Sequence, residues 1–175
     1  MRTKTYIAAD FDHDKDAVDQ LYYWKNNQYL SFDFQDAHDI TQARDTSLYC
    51  SIKSSLRIRL NESKTFVLIV GEHTNSLTKG SCQFCQSYNS WSSYCARGHN
   101  VDFRSYIQFE CDKAREDYFS NELKKIVVLY KSTSIEKSKC PQAVRYIGTH
   151  VPMIYYPWTD HKYYWDYQAI KKALE

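Results

Sequence analysis

Three groups of side chains in this 175-residue sequence have types and spacing that could do chemistry. The first is a single carboxylate, Glu110. From Phe103 to Tyr118 the apolar residues Phe103, Tyr106, Ile107, Cys111, Ala114 and Tyr118 recur at helical spacing. At about 100° per residue, Glu110 falls inside that stripe, between the directions of Phe103 and Tyr106. A carboxylate aimed at a core must be desolvated, paired or facing a cleft. That makes Glu110 a candidate catalytic group. The competing reading is a boundary residue paired with Arg104 or Lys113.

The second group is the acidic turn Asp10-Phe11-Asp12-His13-Asp14. Asp14 reads as the N-cap of a following helix, while Asp10 is a candidate for shaping a pocket beside Phe11. The third group is Cys82, Cys85, Cys95 and His99, spaced Cys-x2-Cys-x9-Cys-x3-His. A thiolate pair with a further Cys and a His could hold a structural zinc. Redox pairing and free thiols are the alternatives. Neither a GxGxxG nor a GxxxxGK[ST] phosphate loop occurs, which argues against a Rossmann dehydrogenase or a P-loop ATPase.

These groups need elements to position them. Tyr6–Asp10 reads as a first strand, followed by a helix with Ala17, Val18, Leu21, Tyr22 and Trp24 on its apolar side. Tyr29–Phe34 reads as a second, shorter strand, and Gln35 to Thr46 as a polar loop. A second helix carries Leu48, Tyr49, Ile52, Leu56 and Leu60. Thr65–Val70 is a β-branched run expected to be buried on both faces, leading to Gly71-Glu72-His73-Thr74. A Cys-rich insert at about 75–102 precedes the Glu110 helix. Lys125–Tyr130 is a fourth strand and Met153–Tyr156 a fifth, with a short helix near Pro141–Tyr146 and a closing helix over Tyr163–Leu174. Strands alternating with helices predict an α/β, doubly wound and mostly parallel five-stranded sheet, with ligands outside the carboxyl ends of its strands.

Composition narrows the class further. The length suits one domain with its own core. Charge is nearly balanced, 23 Lys+Arg against 21 Asp+Glu, so nothing points to nucleic acid as a partner. The aliphatic runs Phe66–Val70 and Ile126–Leu129 are too short to span a bilayer. Without a charged-then-apolar leader, a cytoplasmic location is expected, and there six cysteines read as thiols or metal ligands rather than disulfides.

The run Tyr6 to Asp16 (Tyr-Ile-Ala-Ala-Asp-Phe-Asp-His-Asp-Lys-Asp), the run Phe66 to Thr74 (Phe-Val-Leu-Ile-Val-Gly-Glu-His-Thr), and Tyr106-Ile-Gln-Phe-Glu110 followed by Ile126-Val-Val-Leu-Tyr130 resemble the TIR-like domain family, in the group found in Thoeris anti-phage systems. The resemblance implies a flavodoxin-like sheet and NAD as substrate, cleaved at its nicotinamide–ribose bond to a cyclic or related ADP-ribose signal. That signal would activate a separate effector, and family members often act as homo-oligomers. It maps the catalytic Glu onto Glu110 and a small hydroxyl residue of the pocket onto Thr74. Tyr106 stands where relatives often carry Trp, and the insert lengthens the path from Thr74 to Glu110. Phe11, Tyr106 and Trp24 are candidates to stack on the ligand's rings. A non-catalytic interaction domain and a nucleoside transferase-like enzyme remain as alternative readings.

Overall fold

The computed structural model describes residues 3–30, 32–34 and 48–175. In chain order the elements are β1 (Lys4–Ala8), α1 (Lys15–Asn26), α2 (Tyr49–Glu62), β2 (Ser63–Val70), β3 (Tyr88–Asn89), β4 (Tyr94–Cys95), α3 (Tyr106–Phe119), β5 (Lys125–Tyr130), β6 (Thr149–Pro152), β7 (Ile154–Tyr155), β8 (Tyr164–Trp165) and α4 (Tyr167–Leu174). Among the described residues the main sheet has four strands in the order β1-β2-β5-β6. Each neighbouring pair is parallel. Two short antiparallel pairs, β3 with β4 and β7 with β8, stand apart from it.

Alternating residues send this sheet's side chains to two apolar layers, as a period of two requires. Tyr6, Ala8, Phe66, Leu68, Val128 and Tyr130 pack with Leu56 and Leu60 of α2 and with Ile107, Phe109, Cys111 and Ala114 of α3. Ile7, Val67, Ile69, Val127 and Leu129 pack with Ala17, Val18, Leu21 and Trp24 of α1 and with Ile170 and Ala173 of α4. Helices therefore cover both faces, in the doubly wound, flavodoxin-like manner expected. β2 is buried over nearly its whole length, because β1 and β5 flank it and a helix layer lies on each side.

Several expected elements differ. Tyr29–Phe34 forms no strand among its described residues. Asn27 holds the exit of α1 in a turn instead, its side chain accepting from the Tyr29 amide at 3.0 Å and its carbonyl from Leu30 at 3.0 Å. Phe32 and Phe34 are anchored through their rings, Phe32 against Trp24 and Tyr167, Phe34 against Tyr22. Among the described residues the main sheet thus has four strands rather than five. The Gln35–Thr46 loop lies outside the described residues.

The last parallel strand is Thr149–Pro152 rather than Met153–Tyr156. The Met153 amide still donates to the Tyr130 carbonyl at 2.7 Å, and the chain then turns off so that Ile154 and Tyr155 pair with Trp165 and Tyr164. The rings of Tyr155 and Tyr164 stack at 5.6 Å. That pairing delays the closing helix to Tyr167, where the Asp166 carboxylate accepts from the Ala169 amide at 2.9 Å. Pro141–Tyr146 makes turns, not a helix. Among the described residues no helix is long and apolar enough to cross a membrane.

Candidate active site

α3 begins three residues later than the Phe103 stripe suggests, and its start is chemically defined. The Ser105 hydroxyl accepts from the Gln108 amide at 3.2 Å, and the Gln108 side chain accepts from the Ser105 amide at 2.9 Å. This reciprocal capping box satisfies two of the helix's orphan donors. Phe103 consequently lies outside the helix and is exposed, while Phe109, absent from the expected stripe, is buried. It sits beneath the cationic groups of Lys53, Arg57 and Arg104, 5.9, 5.6 and 5.1 Å from its ring centre.

Glu110 is 5% exposed. Its Oε1 accepts a hydrogen bond from the hydroxyl of Tyr6, a fully buried residue of β1. Burial raises the carboxyl to about 7; the Tyr6 bond and the positive charge of Arg59 act in the opposite direction. Neither Arg104 nor Lys113 is its partner. Arg104 binds Asp102 and Asp112, and Lys113 binds Asp117. Adjacent Cys111 is fully buried, and desolvation holds its thiol far above the usual range, so it is a packed, unreactive thiol.

Glu110 lines a cleft of about 210 Å³ at the carboxyl end of β1. Ala9, Asp10, Phe11 and Asp12 come from the end of β1 and the acidic turn, and Ile52, Leu56 and Arg59 from α2. Leu77 and Lys79 come from the start of the insert, and Tyr106, Ile107 and Glu110 from α3. The cleft is therefore mostly apolar, with two buried carboxylates, Asp10 and Glu110, the exposed Asp12, and two cations among its walls. Such a composition suits an organic ligand carrying aromatic and anionic parts.

Four of the expected site residues, Asp10, Phe11, Tyr106 and Glu110, converge on this cleft. Asp10 is buried and organises the turn, accepting from the Asp12 amide at 3.1 Å and contacting His13 Nδ1 at 2.7 Å. Phe11 is 51% exposed at the mouth, where its ring is accessible. Tyr106 meets Tyr49 edge-on, and its buried hydroxyl has no hydrogen-bond partner among the described residues. Gly80, at φ +98°, lies flat against the Tyr106 ring; a Cβ there would come within 2.5 Å of Cδ1. The insert thus builds part of the cleft wall rather than merely preceding it.

The other candidates lie elsewhere. Thr74 is buried, but its hydroxyl accepts from the Gly71 amide at 2.8 Å and closes that turn; it does not line the cleft. Trp24 packs under α1 on the opposite face of the sheet, with Phe32 and Tyr167. Asp14 precedes α1 without making a side-chain cap. It is buried beside Gly71 and 3.5 Å from Lys131, and desolvation raises its carboxyl. His73 meets His13 at 4.9 Å between ring centres.

Cys82, Cys85, Cys95 and His99 are not assembled as a metal-holding group, and no such group of three or more His, Cys, Asp or Glu occurs among the described residues. Cys82 and Cys95 are buried whereas His99 is exposed on the surface excursion. The insert is tied down by Lys53 instead. Its buried ammonium donates to the carbonyls of Asp102 at 3.0 Å and Arg104 at 2.6 Å.

The structure adds Arg59, Lys79 and the hydrogen-bonding role of Tyr6 to the site. Arg59 stands seven residues after Ile52 and three after Leu56, a charge inside a helical apolar stripe. That is the same irregularity that marked Glu110. Lys79 carried no local signal, since only the path of the insert brings it to Asp12, 2.8 Å away.

No curated protein matches the chain. Residues 6–79 match the family model described as Thoeris protein ThsB, TIR-like domain. The match spans β1, the acidic turn, α1, α2, β2 and the start of the insert, and ends before α3 and Glu110. Residues 6–79 thus carry the pattern of a Thoeris TIR-like domain, and the parallel, helix-covered sheet that they enter is of the kind this family implies.

Proposed function

We propose that the protein cleaves NAD at the nicotinamide–ribose bond, as a defence enzyme of the TIR-like class. The observation that carries this reading is the placement of Glu110: a buried carboxylate lining an apolar cleft at a strand's carboxyl end, held by a tyrosine hydroxyl. Breaking the C1′–N bond returns the bonding pair to the ring nitrogen, and neutral nicotinamide leaves. Positive charge grows on the ribose, and a desolvated carboxylate stabilises it more strongly than one in water. The leaving group needs no proton, so a single carboxylate suffices.

The stabilising form is the anion, which at neutral pH is partly populated for a group near 7. The cationic ring of bound NAD favours that anion further. A cleft of about 210 Å³ is smaller than the roughly 300–1,000 Å³ pockets that enclose whole drug-sized ligands. NAD would therefore enter by its nicotinamide end, with its phosphates near Lys79 and Arg59 at the walls. A second copy of the chain would enclose the remainder, which suits a homo-oligomer. Capture of the ribose cation by an adenine nitrogen gives a cyclic ADP-ribose signal for a separate effector; capture by water gives ADP-ribose.

Incubating the protein with NAD and chromatographing the products tests the reading, with lysate from phage-infected cells supplied as activator. Release of nicotinamide by wild type and its loss in Glu110→Ala are expected. Nicotinamide release at the wild-type rate from Glu110→Ala would sink the mechanism. Intact NAD under every condition would favour an interaction domain.

A further inference from the structure

The Glu110 carboxylate is held from the far side by another part of the chain. Tyr6 and Glu110 are 104 residues apart in sequence, and β1 and α3 bring them together within the apolar layer formed with α2. Tyr6 is fully buried and its ring lies nearly parallel to that of Phe66, 6.0 Å between centres. Leaving a buried phenol without an acceptor, or a buried carboxylate without a donor, is costly. Here each satisfies the other. An apolar residue would fill the Tyr6 position on grounds of packing alone, so the hydroxyl is present for its hydrogen bond.

The surroundings limit what else could do this work. β1 and its following turn present Tyr6, Asp10 and Asp12 towards this region; α2 presents Arg59, and the insert presents Lys79, which pairs with Asp12. α3 itself adds Tyr106 and Cys111, and β2 contributes apolar Phe66 and Leu68. Arg59 acts on Glu110 through its charge, whereas the hydrogen bond comes from Tyr6.

We propose that Tyr6 is the positioning residue of this site: its buried hydroxyl pins Glu110 Oε1, fixes the plane of the carboxylate and leaves Oε2 to the cleft and its ligand. The inference deepens the NAD-cleavage reading and rests on it for its kinetic consequence alone. A donor on Oε1 stabilises the anion without competing for the oxygen that faces the ribose. It also prevents the side chain from turning both oxygens into the cleft, where a ribose would meet an unfixed partner.

The test replaces Tyr6 by Phe and follows Glu110 itself, by carbon NMR of protein labelled at glutamate carboxyls, with Glu110→Gln identifying the signal. Losing a hydrogen bond to a charged group should move the Glu110 titration upward by about one to two pH units. In NAD cleavage the acid limb of the kcat profile should move up equally, with KM little changed and kcat near neutrality down about tenfold or more. An unchanged Glu110 titration would overturn the inference, whatever the activity. Should Tyr6→Phe not fold, 3-fluorotyrosine at position 6 keeps the shape and makes the phenol a stronger donor. The titration must then move down, and a titration that stays put again overturns the inference. The NMR arm needs no NAD, so wild type that leaves NAD intact even with infected-cell lysate would refute the cleavage reading while the titration still judges Tyr6.

Discussion

Replacing Glu110 by Gln should relieve a pH-dependent cost that the native carboxylate imposes on folding. The carboxyl ordinarily titrates near 4.5 and is raised by burial to about 7 in the folded protein. Below 4.5 it is protonated in both states and contributes no difference. Between 4.5 and 7 the unfolded chain releases a proton that the folded protein keeps, so stability falls as pH rises. Above 7 the cost is constant. Two and a half pH units correspond to about 3 kcal/mol. Gln keeps a carbonyl that can accept from Tyr6 and does not titrate, so its packing offset is independent of pH. Urea unfolding of both proteins at about pH 5 and about pH 8 measures the effect. Asp14, whose carboxyl is raised by burial, and Asp102, which Arg104 and Lys53 draw down to about 2 against burial, titrate in both proteins and cancel in the comparison. The variant should gain about 2–3 kcal/mol on its parent between those pH values. A difference that is the same at both would refute the reasoning, because Glu110 would then not be desolvated in the folded state.

Further outcomes follow from the walls of the cleft. Gly80→Ala places a Cβ against the Tyr106 ring at a left-handed φ; it should cost about 1–3 kcal/mol in thermal unfolding and weaken NAD binding measured by calorimetry. Lys79→Ala removes an exposed ion pair with Asp12 and should change stability by less than about 1 kcal/mol. It should raise KM for NAD while leaving cleavage of nicotinamide riboside, which lacks phosphates, unchanged. Lys53→Met removes the ammonium that ties α2 to the carbonyls of Asp102 and Arg104. A loss of about 3 kcal/mol and faster proteolysis within the insert are expected in limited digestion.

Where the signal was periodicity backed by burial, sequence and structure agree. The β-branched run in β2 and the Lys125–Tyr130 strand lie where their residue types place them. Glu110 was legible because one charge broke a 3.6-residue pattern, and Arg59 breaks a similar pattern in α2. Elements at the margins were less legible, since tertiary contacts decide them. The aromatic rings of Phe32 and Phe34 serve a packing cluster with Trp24 and Tyr167 rather than a strand edge, and Ile154 and Tyr155 pair with Trp165 and Tyr164 rather than extending the main sheet. Asp14 has the composition of a helix cap, yet its carboxylate points instead at the Gly71 turn and Lys131. Cysteine spacing was the weakest guide. It fixes distance along the chain, but the fold buries Cys82 and Cys95 and leaves His99 exposed. Tyr6 and Lys79 reach the site only through long-range packing, for which no local pattern exists.

Nicotinamide release from NAD, compared between wild type and Glu110→Gln at matched folded concentration, tests the central claim most directly. Gln retains the volume and the acceptor for Tyr6 but cannot carry negative charge. The account predicts release by wild type that rises with pH through about 7, and a fall of at least about a hundredfold in the variant. Equal release by the two proteins would contradict it.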